Sequence, residues 1–98
     1  MVAKIDDGFW HLVSDTQGTA WRHTGGNVHY SVRVVSGSGT LKMQISYDAG
    51  TTWINISDSS HTATAQANIN ALPPGVLIRP DLSGSSTPDF EIRAYSVD

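Results

Sequence analysis

Four histidines, His11, His23, His29 and His61, are the side chains best suited to hold a metal or to exchange a proton near neutral pH. Their spacing along the chain does not by itself bring three ligands together. If Gly25-Gly26 forms a two-residue turn, alternation sends His23 and His29 to opposite faces. A serine nucleophile would need a strand-to-helix elbow of the form G-x-S-x-G, and the chain has none despite its 12 serines. Asp6-Asp7, Asp58 and Asp81 offer oxygen ligands for calcium, yet none lies in a D-x-D-x-D-G loop. With no cysteine, a thiol nucleophile, a disulfide framework and cysteine-bound zinc are all excluded. The expectation is a chain with no catalytic residue, no metal and no cofactor.

One stretch is specific. Ser46-Tyr47-Asp48-Ala49-Gly50-Thr51-Thr52-Trp53 fits the S-x-D-x-G-x-T-W pattern of the Asp-box at every fixed position. The pattern suits a hairpin: Asp48 accepts hydrogen bonds from loop amides, Gly50 tolerates positive φ, and Trp53 covers the turn. Ser46, Asp48, Gly50, Thr52 and Trp53 are therefore expected to be structural. Asp-boxes are familiar from sialidases, which resemble this chain only here. That family implies several four-stranded blades, an arginine cluster and a tyrosine nucleophile with an acidic partner. Ninety-eight residues leave room for about two blades, and Arg22, Arg33, Arg79 and Arg93 fall on separate segments. Sialidase activity is not expected.

The elements that would carry these residues are strands. Ser and Thr supply 21 residues and Glu only one, and no window carries a 3.6-residue apolar repeat. Period two is clear instead: Val28, Tyr30, Val32 and Val34 form one alternating set, and Leu41, Met43, Ile45 and Tyr47 another. Further segments fit over 8–14, 19–24, 51–57, 62–70, 75–79 and 89–97. Gly25-Gly26 predicts a primed hairpin turn, which would set Trp21 opposite Tyr30 and Arg22 opposite His29. Gly37-Ser38-Gly39 reads as a longer link and 82–87 as a mobile loop. Pro73-Pro74, Pro80 and Pro88 should avoid central ladder positions. The sum is an all-β, single-domain antiparallel β-sandwich, jelly-roll or Ig-like, of about eight short strands over 8–98, preceded by an N-terminal arm over 1–7. Inward candidates are Phe9 or Trp10, Val13, Trp21, Tyr30, Val32, Val34, Leu41, Met43, Ile45, Ile54, Ile56, Ala65, Ala67 and Ile69. Val76, Ile78, Phe90, Ile92 and Ala94 complete the core.

Composition narrows the partners. A formal charge of −3 offers little attraction to nucleic acid or anionic lipid. No apolar run approaches the roughly 18 residues of a membrane span, and Lys4, Asp6 and Asp7 stand where a signal peptide would be apolar. The chain reads as soluble and unprocessed, with neither nucleic acid nor membrane as a partner. If Phe9 faces the core, alternation turns Trp10 outward, so Trp10, with Phe9 and His11, forms the candidate interface. An arm such as 1–7 suits addition to a neighbour's open sheet edge.

A second resemblance runs from Gly39 to Tyr95. "GTLKMQISYDAGTTWINIS", a Thr- and Ala-rich strand and "NALPPGVLIRPDLSGSSTPDFEIRAYSV" are similar to the small all-β structural proteins of tailed-phage virions. Those commonly show L-x-x-S-x-D-G-G-x-T-W followed by L-P-x-G-x-x-R. Here Ala49 replaces the second glycine and Pro74 lengthens the L-P-x-G element. The resemblance implies a non-enzymatic virion component: a head decoration or cement protein on the capsid surface, binding capsid protein or other virion proteins. It would act as a homo-oligomer, a trimer by expectation, with avidity replacing individual strength. The alternative is a carbohydrate-binding or host-adhesion module of a phage tail or fibre.

Overall fold

The computed structural model describes residues 7–23 and 25–97. Strand β1 is Asp7–Leu12, β2 Thr16–Gln17, β3 Trp21–Arg22, β4 Gly26–Ser46, β5 Ile54–Asn55, β6 Ala65–Leu72 and β7 Leu77–Val97. Every pairing is antiparallel, and the described residues contain no helix. The two 21-residue strands form the frame: β4 and β7 pair from Asn27 opposite Val97 to Ser46 opposite Leu77. One half of this ribbon is flanked by β1 and β6, giving the order β1-β7-β4-β6. The other half is flanked by β2, β3 and β5. The expected arm lies outside the described residues except for Asp7, which is paired with Tyr95 as the first residue of β1.

The strand segmentation differs from the sequence reading at the middle of the ribbon. The Val28 and Leu41 sets belong to one strand, and the ladder crosses the expected link through Ser36 opposite Asp89, Ser38 opposite Ser86 and Thr40 opposite Ser83. Register shifts occur at each of these steps. The glycines and serines that signalled loops in 37–39 and 82–87 lie opposite one another, so each irregular stretch bulges against the other and the pairing continues. Leu82, assigned to a loop by sequence, is buried. Asp15 holds this stretch from outside, accepting hydrogen bonds from the Ser85 amide at 2.9 Å and from the Ser85 hydroxyl.

The Gly25-Gly26 hairpin is also corrected. Both glycines have positive φ, 104° and 97°, but Trp21 pairs with Ile78 and Arg22 with Leu77, not with Tyr30 and His29. His23 extends this pairing by donating its amide to Val76 and accepting from Gly75. The turn therefore carries the chain from one half of the ribbon to the other. Pro80 occupies the interior strand β7, opposite Met43. Its missing amide points toward the gap between β2 and β3, where its carbonyl accepts from Gly18 at 2.8 Å. Met43 directs its own backbone groups the other way, to Ile56 and Ser59. No ladder bond is lost on the β4 side.

The core is one cluster with contributions from both halves: Val28, Tyr30, Val32, Phe90, Ile92 and Ala94 from the first, Leu41, Met43, Ile45, Ile78 and Leu82 from the second. Trp21, Val34, Ile56 and Ala67 pack against it, half-buried. Val13 and Ile54 face solvent, contrary to the sequence reading, whereas Leu12 and Leu72 are inside. A radius of gyration of 12.9 Å matches the roughly 13 Å of a compact domain of about 100 residues. The molecule is a single all-β domain.

Candidate functional site

The Asp-box forms a closed hydrogen-bond circuit. Ser46, buried at the end of β4, donates its hydroxyl to Asp48 Oδ1 at 2.9 Å and accepts from the Gly50 amide at 2.8 Å. Asp48 Oδ1 also accepts from the Thr52 amide at 2.8 Å. That amide, with the Ser46 hydroxyl, holds the Asp48 carboxyl below the usual carboxylate range. Ala49 and Gly50 are both left-handed, with φ of 60° and 92°. Trp53 closes the turn, its Nε1 donating to the Gly50 carbonyl at 3.1 Å. The Arg79 guanidinium lies 4.0 Å from the centre of the Trp53 ring, and Arg79 Nε donates to Gln44 Oε1 at 2.8 Å. Gln44 in turn donates to Asn55 Oδ1 at 3.0 Å. The motif thus ties the turn to β4, β5 and β7, with its serine and aspartate occupied in bracing.

Phe9, Trp10 and His11 alternate as expected, but with the opposite sense. Trp10 is 5% exposed and Phe9 50% exposed. The cause is the pair of glycines around Trp10: a Cβ at Gly8 would lie 2.6 Å from its ring, and one at Gly18 2.5 Å from it. Only a strand that puts Trp10 inward lets the indole fill those two gaps, where it meets Trp21 edge-on at 6.2 Å and donates Nε1 to the Thr19 carbonyl at 2.8 Å. Trp10 is consequently a core residue, and Phe9 and His11 carry the exposed side of β1.

Phe9 and His11 stand on the outer face of the β1-β7-β4-β6 half. Arg93 stacks over the Phe9 ring at 4.4 Å, and Tyr95, 40% exposed, is the next outward residue of β7. His11 Nε2 lies 2.7 Å from Asp89 Oδ1, Arg33 donates to Glu91 at 3.2 Å, and His29 pairs with Asn68 at 2.7 Å. The face is aromatic at the Phe9–Tyr95 diagonal, with Arg93 on the Phe9 ring and hydrogen-bonded polar pairs beside it.

The remaining histidines have separate surroundings. His23 is buried and accepts from the Gly25 amide through Nδ1 at 3.1 Å. His61 meets the Tyr30 hydroxyl at 2.7 Å, and burial lowers its pKa. No group of three or more His, Asp or Glu side chains is poised to hold a metal among the described residues.

Sequence reasoning missed one feature. A groove of about 440 Å³ opens beside the Asp-box, between the β5 segment and the free edge of β6, with Tyr47, Ile54 and Asn55 on one side and Asn68, Asn70 and Leu72 on the other. Only Tyr47 carries a sequence signal, its place at the motif's variable second position; alternation with Leu41, Met43 and Ile45 would turn it inward, and it is exposed because β4 ends at Ser46 and the turn begins there. The asparagines come from segments whose proximity the sequence does not reveal.

No protein-family model matches the chain, and no curated protein matches it. Among solved structures it is similar to the crystal structure of Yersinia pseudotuberculosis-derived mitogen, with a TM-score of 0.58 at 11% sequence identity. The alignment covers 99% of this chain and 89% of that one. At that identity the likeness is one of fold.

Proposed function

We propose that the chain is a non-enzymatic assembly module, a jelly-roll sandwich that decorates a phage particle by docking the Phe9 face on capsid or other virion protein. The two halves of the β4–β7 ribbon, each with its own flanking strands, are the two sheets of that sandwich, and the bulged crossing at Ser36–Thr40 is the corner between them. The observation that carries the reading is the exposed Phe9–Tyr95 diagonal, with Arg93 stacked over Phe9 and with His11 hydrogen-bonded to Asp89 and Arg33 to Glu91 beside it. Such a face offers an aromatic anchor whose neighbouring polar groups already have partners, Arg93 among them through the Phe9 ring. A symmetric oligomer, a trimer on a lattice three-fold axis, would multiply contacts that are individually weak. The braced Asp-box supports a structural use of the motif: its hydroxyl and carboxylate hold the turn.

The test is occupancy on purified particles, read by mass spectrometry and cryo-microscopy. Head decoration gives a fixed copy number per capsid subunit, and Phe9→Ala weakens binding by about tenfold or more, the scale of a buried aromatic anchor. Undiminished occupancy with Phe9→Ala refutes the docking face, and a handful of copies per particle refutes head decoration. The saccharide-binding alternative is favoured by a separate observation, the groove beside Tyr47.

A further inference from the structure

We propose that the groove between Tyr47, the β5 segment and β6 binds a neutral saccharide, a site held in shape by the Asp-box. This develops the saccharide-binding alternative and is independent of docking through Phe9.

The lining specifies the ligand class. None of its side chains is charged, so an anionic or cationic ligand would find no counter-charge, whereas a neutral one is desolvated without that penalty. Asn55, Asn68 and Asn70 stand around it. A carboxamide presents a donor and an acceptor side by side, which matches the vicinal hydroxyls of a sugar. The Oδ1 atoms of Asn55 and Asn68 are engaged by Gln44 and His29, which orients both amides and leaves their NH2 groups to donate to a ligand. Tyr47 is 63% exposed and Ile54 53% exposed. An aromatic ring beside an aliphatic side chain offers the apolar surface on which the C–H face of a pyranose rests. The volume of about 440 Å³ lies within the roughly 300–1,000 Å³ of small-ligand clefts.

The backbone at Tyr47 and the side chains of Asn55 and Asn68 are held before any ligand arrives. Tyr47 sits between Ser46 and Asp48, both locked in the hydrogen-bond circuit of the turn. From Trp53 the bracing passes through stacked Arg79 to Gln44 and so to Asn55. A site whose groups are already ordered loses less entropy on binding. The Asp-box is in this account a positioning device for a binding site that includes the residue before its own aspartate.

Screening the intact chain on an array of neutral glycans, followed by amide NMR titration with the glycan retained, tests the proposal. The expected result is saturable binding whose shifts concentrate at Tyr47, Asn55, Asn68 and Asn70. Tyr47→Ala, a change at an exposed side chain, should weaken binding by about tenfold, with an unchanged spectrum elsewhere. Arg79→Ala should weaken it less, through loss of the relay to Asn55, and Phe9→Ala should leave it unaltered. Absence of binding to any neutral glycan, retention of anionic glycans alone, shifts that map elsewhere, or full affinity in Tyr47→Ala overturns the proposal. None of these outcomes bears on capsid docking, which Phe9→Ala reads separately.

Discussion

Replacing Gly37 with alanine tests the bulged crossing at the middle of the ribbon. Gly37 has φ of 76°, and a Cβ there would lie 2.1 Å from the Thr87 carbonyl oxygen and 2.7 Å from that of Ser86. Both obstacles are backbone atoms, so no side-chain rotation relieves the contact and the strands must separate. Gly84, in the facing stretch, supplies the control: its φ is 60°, yet nothing lies within 4 Å of its added Cβ. The left-handed backbone alone costs alanine roughly 1–2 kcal/mol, which Gly84→Ala measures. Gly37→Ala adds an overpacking term of about 1–3 kcal/mol, for a total near 3 kcal/mol out of the roughly 5–15 kcal/mol available to a domain of this size. Urea unfolding followed by tryptophan fluorescence reads both. With an m-value of about 1.5 kcal/mol per M, the midpoint falls by about 2 M in Gly37→Ala and by about 1 M in Gly84→Ala. Equal midpoints for the two variants would refute the close crossing, and with it the continuity of the ladder through 36–40.

Ser46→Ala removes a buried hydroxyl that serves Gly50 and Asp48, and should lower stability by about 1–3 kcal/mol in the same assay; a change under about 0.5 kcal/mol would show that the turn does not depend on the circuit. Stability should also decline at both ends of the pH range. Burial lowers the His61 pKa, so the unfolded chain takes up its proton first. Stability is full above about pH 6.5 and falls as pH drops below it, a limb that His61→Gln should remove. Burial pushes the Tyr30 hydroxyl up to about 12. The unfolded chain ionises near pH 10, so stability falls from about 10 toward 12, and Tyr30→Phe should flatten that decline in denaturation midpoints measured across pH.

The local grammar of the chain was legible wherever a short segment determines its own structure. Val28 to Val34 and Leu41 to Ser46 show the alternation that buries Tyr30, Val32, Leu41, Met43 and Ile45, and the Asp-box residues specify their turn almost unaided. What was not legible depends on distant partners. Gly37-Ser38-Gly39 has the composition of a link, and becomes strand only because Ser86 and Asp89, some fifty residues on, supply a matching irregularity. Alternation stated that Phe9 and Trp10 face opposite ways, but the choice between them lies with Gly18, which leaves space for the indole. Pro80 tolerates the interior because β2 and β3 break opposite it. The groove asparagines fall into the same class, since Asn55 and Asn68 meet only through β4.

The β4–β7 ribbon also has a kinetic consequence. Its paired residues are 31 to 70 positions apart in sequence, a contact order at the slow end for a domain of this length. During synthesis β4 waits, with one long edge vacant, until residues 77–97 emerge to fill it. The nearest closure is Ser46 with Leu77, beside the Asp-box, so a turn that forms from local bonds alone shortens the search for the first long-range pair.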